Sequence, residues 1–428
     1  MYEKLKGKKL LVLGAYSAEI EIVNAAKELG VYTITTDNHE NWNEAPAKYV
    51  SNEALNISWS DITTLKDYCE TKKVDGVLSG FSENRVLQGE RLSRAIDKPF
   101  YANGADLETI FDKLKFKKAC VEAGIVVPRQ YSIGDSVHFP VIVKPADNGG
   151  SRGITICYNQ NDLSQAYKKA LQYSYSKTIL IEEYINADDV MVFFTVHNGK
   201  SEVSAMCDRI MCRFDEKITQ LPVGYMYPSK HLDTFVTYNQ EKFQRLIRNL
   251  GVKNGLIAFQ SFVRGNDVIP FDPTYRLDGT TSYHITEKCT SMNSLKMLIS
   301  YSLTGSMGDD EYIKSHENPY FNKYCFQLPI LLKKGIINRI EGLDGIMEME
   351  DVILVRQSLF VGDELDKAAD FSQMLCRIHL VADSLQNIIA DISKIFAGIK
   401  VYGKDNEDLI LYRFDPEAML SCYKDTIR

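Results

Sequence analysis

The chain has 428 residues, 45% of them hydrophobic, and a formal net charge of −7. That length holds about two to four domains with real cores, and the mild acidity argues against a nucleic-acid binder, which needs a basic footprint. No apolar run approaches the roughly 18 residues of a membrane span.

The nine cysteines are odd in number and form no Cys-x-x-Cys pair, which reads as reduced core thiols of a cytoplasmic protein. Lys4, Lys6, Lys8 and Lys9 lead straight into a strand rather than a signal peptide.

Lys9 to Gly14 is apolar throughout and reads as a buried parallel strand. Glu19 to Leu29 has helical spacing, and Gly30 stops it. Val31 to Thr36 is the next strand, Asp61 to Thr71 the next helix and Val74 to Ser79 a third strand. This alternation makes the first hundred or so residues an open parallel sheet. Gly14 and Asp37 invite a dinucleotide reading, but Gly14-Ala-Tyr-Ser-Ala-Glu19 lacks the Gly-x-Gly-x-x-Gly spacing, so a plain tight turn suffices.

Asp106 to Ala123 reads as one helix, capped by Asp106 or a neighbour and ended by Gly124. It carries Lys113 and further lysines at 115, 117 and 118, which a solvated basic face also explains. Pro140 to Gly153 follows as strand, glycine-rich loop and second strand. Glycines let backbone N–H groups close on phosphate oxygens, and Lys144 at the strand end adds a point charge. The Walker order is absent, so this suggests a different nucleotide clamp. A surface hairpin with a snorkelling lysine fits the same residues.

Asp162 to Tyr173 is an amphipathic helix, and Thr178 to Ile185 a strand that turns acidic at its end. Val190 to Val196 and Ser201 to Cys207 pair through an Asn198-Gly199 turn. Arg209 to Ser229 reads as loop-rich, and Glu241 to Leu250 as a helix. Strands Leu256 to Val263 and Asp267 to Asp272 join through Arg264-Gly-Asn. If they pair, Gln260 and Asp272 project toward one site as oxygen ligands for magnesium, with Arg276 nearby for an anion. An outward-facing Gln260 and a turn-forming Asp272 would serve equally.

Beyond about residue 305, Met307-Gly-Asp-Asp-Glu reads as a polar linker. Strands at 324–329, 335–340, 352–359, 400–402 and 409–414, with a helix from Ser384 to Phe396, make a small α+β unit.

A lysine helix, a lysine strand with a glycine-rich lid, an acidic strand end and a hairpin with two oxygen ligands follow an open parallel sheet. That order resembles the ATP-grasp superfamily, in the branch of carbamoyl-phosphate synthase large chain, biotin carboxylase and carboxylate-amine ligases. The resemblance covers about residues 8 to 300 well and the remainder loosely. It implies an α/β and α+β architecture in three parts. A pre-ATP-grasp domain at 1–105 precedes an ATP-grasp domain of two α+β subdomains at 106–305, with its lid at about 140–185, and a small α+β domain occupies 306–428.

By position, the resemblance makes Lys113 and Lys144 the phosphate-binding lysines and Asp147 to Gly153 the flexible lid, including Gly149, Gly150 and Ser151. Glu182, Glu183, Tyr184 and Ile185 match the segment whose backbone reads adenine, and Asp189 the ribose-gripping acid. Gln260 and Asp272 match the metal ligands and Arg276 the arginine near the transferred phosphate. The usual Glu-x-Asn-x-Arg is here Asp272-Pro-Thr-Tyr-Arg276, a shorter acid with Thr274 in place of an amide.

The implied reaction activates a carboxylate with ATP and Mg2+ as an acyl phosphate, which an amine attacks to leave ADP and phosphate. Lysines, an arginine and magnesium neutralise the transferring group. Lys144 and Arg276 carry the catalytic charge, and Glu83, Arg85, Arg209 and Lys230 are weaker substrate candidates. The partners implied are small-molecule carboxylates and amines, with no nucleic acid or membrane, and a homodimer by analogy alone. The competing reading keeps the nucleotide but makes the altered metal motif that of a non-catalytic or regulatory protein.

Overall fold

A computed structural model describes residues 2–132, 134–146, 153–214, 220–366 and 371–423. Strands β1 (Lys9–Leu13), β2 (Tyr32–Thr36), β3 (Glu53–Leu55) and β4 (Gly76–Ser79) form a parallel sheet in the order β3-β2-β1-β4. Leu10 to Leu13 of β1 are fully buried, as an unbroken apolar run demands when helices cover both faces. Helices Glu19–Glu28, Ile62–Lys72 and Glu83–Ala95 alternate with the strands. Asp61 caps the second by accepting from the Thr64 N–H, and Lys73 ends it at φ 54°. The strand order reverses between β1 and β4, so their loops, Gly14 onward and Gly80 to Ser82, meet at the crevice where open sheets bind ligands.

A distant helix, Ser294–Thr304, packs on β4. Gly76 allows this approach, since an added Cβ would stand 2.0 Å from the Ser302 carbonyl oxygen.

The expected helix over 106–123 is two helices, Gly104–Phe111 and Lys113–Glu122. Asp112 breaks it at ψ 111° and accepts from the Leu114 and Lys115 N–H groups, a side-chain cap that outweighs continuous helical spacing. Lys113 thereby opens the second helix. Strands β5 (Gln130–Tyr131), β6 (Val141–Pro145), β7 (Thr155–Cys157) and β8 (Ile179–Glu183) form an antiparallel sheet, order β5-β8-β6-β7. Helix Gln160–Tyr173 covers it with Leu163, Ala166 and Ala170 against Val141 and Val143.

The largest sheet is antiparallel and eight-stranded. It comprises β9 (Asp188–His197), β10 (Lys200–Arg213), β11 (Gln220–Tyr227), β12 (Gly255–Arg264), β13 (Asp267–Thr274), β14 (Tyr324–Leu331), β17 (Val352–Gln357) and β19 (Met374–Ala382), in the order β13-β12-β9-β10-β11-β14-β19-β17. Two short pairs lie apart, β15 (Gly335–Ile336) with β18 (Glu364–Leu365) and β16 (Arg339–Glu341) with β20 (Lys400–Tyr402). Phe235 and Phe243, from helices Leu232–Tyr238 and Gln240–Asn249, pack on Phe194 of β9. Helix Leu385–Gly398 packs on β14 and β19.

Several expectations change. The loop-rich 209–229 is largely β10 and β11; a bulge beside Met211 takes up Pro222, whose missing N–H would otherwise break the ladder. The run 335–340 is broken into two short strands. Residues 409–414 make only an isolated bridge at Ile410, because Tyr412 and Phe414 pack as rings instead. The linker at 307–311 has a fully buried Met307 and runs into helix Asp310–His316. Strand β19 has no counterpart in the sequence reading. Nine cysteines are free, and among the described residues no helix is long and apolar enough to cross a membrane.

Candidate active site

Lys144 is the penultimate residue of β6 and lies opposite Leu180 of β8. Its Nζ reaches Glu182 Oε2 at 2.7 Å, and Lys117 Nζ reaches Glu182 Oε1 at 2.8 Å. Burial alone would raise the Glu182 carboxyl, but Lys144 and Lys117 hold it below its usual range. Glu182 is therefore an internal counter-ion for two lysines, a role its sequence neighbourhood did not suggest. Lys117 was absent from the candidates, although its i+4 spacing from Lys113 puts both on one helix face. Lys113 Nζ lies 3.4 Å from the Pro145 carbonyl oxygen, beside Lys144.

Gln260 and Asp272 are directly paired across β12 and β13, so their side chains share a face. A bulge follows Gln260. Asp272 is open to the cleft, yet the surrounding protein desolvates it, and this raises its carboxyl. Glu83 raises it further, while Lys113, Arg276 and Lys144 oppose the shift. Asp272 thus feels three cationic side chains and a second carboxylate. Arg276 donates from Nη2 to Glu83 Oε1 at 3.0 Å and from Nη1 to the Leu277 carbonyl at 2.9 Å.

Next to this cluster, Arg209 Nη1 donates to both Asp189 oxygens, at 2.8 and 2.9 Å, and to Gln260 Oε1 at 3.1 Å. The pair is partly buried, with both side chains 10% exposed, and desolvation outweighs Arg209 to push Asp189 up to about 6. Only one guanidinium nitrogen serves the carboxylate, which limits the compensation.

Two cavities meet here. The larger, about 580 Å³, has an apolar wall from Ile142, Ile154 and Ile156 and a polar edge that includes Asp189, Arg209 and Gln260. Tyr184 and Ile185 line it too, as does Lys230, whose Nζ pairs with Asp188 at 3.0 Å. The smaller, about 310 Å³, shares Arg209 and Gln260 and is closed by Thr274, Arg276, Asp278 and Arg377. Apolar walls with a few convergent polar groups are the usual makeup of a ligand pocket.

Arg377 of β19 is 5% exposed. Its Nη1 donates to the Gly279 carbonyl at 2.9 Å and its Nε is buried without a partner. Its guanidinium lies 5.6 Å from the Tyr225 ring centre, and among the described residues it has no carboxylate partner. Asp278, on the same cavity, is occupied by the Thr280 N–H at 2.9 Å and the Ser282 hydroxyl at 2.7 Å. The sequence reading missed Arg377; a lone arginine inside an apolar run was the available signal.

Not every candidate joins the cluster. Arg85 turns away to Glu19, with Nη2 to Oε1 at 2.9 Å in a buried pair beside Gly14. Glu183 faces away from Glu182 and accepts from the Arg129 N–H at 3.1 Å and Arg264 at 3.3 Å. Gly153 adopts φ 78° two residues before β7. Asp147, Gly149, Gly150 and Ser151 lie outside the described residues.

Gln260 and Asp272 offer one amide oxygen and one carboxylate. Among the described residues no three acidic, imidazole or thiol groups form a ready-made metal cage. Magnesium suits such a sparse site, since it usually binds one or two carboxylates together with substrate phosphates. The neighbouring Glu83 carboxylate, which works against ionisation of Asp272, makes added positive charge favourable there. The donor set fits.

A family model described as "D-ala D-ala ligase C-terminus" matches residues 125–245. A formate-dependent phosphoribosylglycinamide formyltransferase from Prochlorococcus marinus (strain AS9601) is 26% identical over 286 residues, covering 61% of this chain and 68% of the relative. An L-amino acid ligase from Bacillus licheniformis superposes with a TM-score of 0.78 at 15% identity, over 93% of this chain and 99% of that one. The biotin carboxylase domain dimer of Hydrogenobacter thermophilus 2-oxoglutarate carboxylase, in complex with MgADP, ADP and bicarbonate, gives 0.72 at 17% identity, over 92% of this chain and 91% of that one.

Proposed function

We propose that the chain is a member of the ATP-grasp superfamily and that its two joined cavities hold ATP and a carboxylate on either side of Gln260 and Arg209. It is an ATP- and Mg2+-dependent ligase that activates a carboxylate for attack by an amine. The observation that carries this reading is that the two cavities share Arg209 and Gln260, and that Gln260 is paired with Asp272, whose carboxyl feels the charges of Lys113, Lys144 and Arg276.

The base and ribose occupy the larger cavity, against its apolar wall, with the phosphates toward Lys113 and Lys144. Arg377 anchors the carboxylate substrate in the smaller cavity. One carboxylate oxygen attacks the γ-phosphorus, the bond to the β–γ bridging oxygen breaks, and ADP leaves with that electron pair. The amine then attacks the acyl carbon, phosphate departs, and the amine proton passes to phosphate or water. Lys113, Lys144 and Arg276 neutralise the transferring phosphoryl charge, the main demand of such a step. Gln260 Oε1 and Asp272 would hold Mg2+, which supplies further neutralisation of the phosphates. Glu83, exposed and paired with Arg276 of the smaller cavity, is the acid assigned to receive an ammonium group. The lid's part, through Asp147, Gly149, Gly150, Ser151 and Gly153, rests on the sequence resemblance. So does the backbone of Glu182 to Ile185 as the adenine reader.

We also propose the partition at about 105 and 305, with the eight-stranded sheet shared across the second boundary, a homodimer after the biotin carboxylase domain, and a cytoplasmic setting that keeps the nine thiols reduced.

The test is ADP release from ATP and Mg2+ with pooled amino acids as carboxylate and amine. Substrate-dependent turnover that Lys144→Ala abolishes supports the ligase. Tight ATP binding without turnover on any broad pool would overturn it in favour of a non-catalytic nucleotide binder.

A further inference from the structure

One wall of the larger cavity comes from a part of the chain that none of these assignments uses. Met419, Cys422 and Tyr423 line it together with Tyr184 and Ile185. The segment starts with helix Pro416–Leu420, where Asp415 accepts from the Glu417 and Ala418 N–H groups and Pro416 occupies the first turn. Leu420 and Tyr423 are buried in the cluster that includes Ile388 and Ile392 of helix Leu385–Gly398. These anchors leave Met419 half-buried and Cys422 exposed on the cavity side.

The segment is also tied to the polar edge of the cavity. The Tyr423 hydroxyl donates to Asp208. Asp208 is 4% exposed and also accepts from the Ser229 hydroxyl at 2.7 Å and the Lys230 N–H at 2.9 Å. Lys230 Nζ stands 5.8 Å from the Tyr423 ring centre while pairing with Asp188 at 3.0 Å. The next residue along β10 is Arg209, which holds Asp189 and Gln260. Asp208 therefore joins residues 419–423 to the strand that carries the junction of the two cavities.

We propose that residues 419–423 form part of the nucleotide site: Met419 and Cys422 close its base-and-ribose end, and Tyr423, held by Asp208, positions them. The proposal rests on the larger cavity being the ATP site. Its chemistry is that of a purine nucleoside phosphate. The polarizable Met419 thioether suits an aromatic ring, and Ile142, Ile154 and Ile156 supply further apolar wall. Tyr423 is a positioning residue, acting through Met419 and Cys422.

The test uses the intact chain and iodoacetamide, with alkylation read at each cysteine by peptide mass spectrometry, with and without saturating Mg·ADP. Nucleotide binding is titrated separately in the same samples. Cys422 is the exposed thiol and Cys212 the half-buried control outside the cavity. The expected result is at least about a tenfold slowing at Cys422 with no change at Cys212, as burial of the thiol by ligand requires. Measured ADP binding with unchanged Cys422 labelling overturns the proposal and leaves the ATP reading standing. No ADP binding at all overturns both. As a second arm, Met419→Ala weakens ADP by roughly fivefold through lost apolar contact while Met419→Leu keeps affinity within about twofold. Equal affinity in Met419→Ala and the unaltered protein contradicts the wall.

Discussion

Replacing Glu182 by glutamine is the most revealing single change. Its carboxylate is 4% exposed and holds Lys117 at 2.8 Å and Lys144 at 2.7 Å. Removing one member of a buried ion pair costs about 3–5 kcal/mol. Here the lysines keep some access to water, at 17% and 15% side-chain exposure, so the lower end, about 3 kcal/mol, is expected. The same change frees Lys144 for the polyphosphate, which in the unaltered protein shares it with Glu182. Opposed unit charges about 4 Å apart at an effective dielectric of about 20 interact by about 4 kcal/mol. If side-chain motion and water leave a third of that, ADP binds about tenfold tighter. The assay is thermal unfolding with and without Mg·ADP. Glu182→Gln should melt lower when unliganded and gain more from nucleotide, by about 1.4 kcal/mol per tenfold in affinity. The pH dependence has a definite sign. Because Lys144 and Lys117 hold Glu182 below its usual range, its contribution is present above the ordinary carboxylate range and lost as pH falls through the depressed value, and the variant lacks this acid limb. An equal or smaller nucleotide shift in Glu182→Gln would refute the idea that Lys144 faces the phosphates.

Three further outcomes are expected. Asp272→Asn should lower ADP release by about 10²-fold while metal-free ATP binding persists, checked by turnover and by titration in EDTA. Arg377→Leu should raise the KM for the carboxylate by at least about tenfold, the value of a lost charge-assisted contact, and leave the KM for ATP unchanged. Burial pushes Glu317 up to about 8 from 4.5, so the folded form keeps a proton that the unfolded chain has lost. Stability should therefore fall between about pH 4.5 and about pH 8, and Glu317→Gln should flatten that slope in denaturation series.

The legible features of this protein are those encoded over short distances. An apolar run buried on both faces marks β1, a proline and glycines bracket the lid after Lys144, and Arg264-Gly-Asn266 fixes the hairpin that pairs Gln260 with Asp272. Asp112 was harder, because helical spacing runs straight through it and only its capping capacity reveals the break. Strand β19 escaped notice because Arg377 and His379 interrupt its apolar pattern, and both have buried surroundings supplied by other strands. Long-range pairing hides the rest. Glu182 looks like a strand-end acid until Lys117 is brought to it from 65 residues away. Met419 and Cys422 carry no motif, and only the packing of Leu420 and Tyr423 against a distant helix delivers them to the cavity.

The central claim is tested most directly by a crystal structure with ADP and Mg2+ bound. The account requires the diphosphate between Lys113 and Lys144, with the metal on Asp272 and Gln260 and the base in the cavity beside Tyr184. A nucleotide bound elsewhere, or phosphates that leave Lys144 and Glu182 undisturbed and Asp272 without metal, would contradict it.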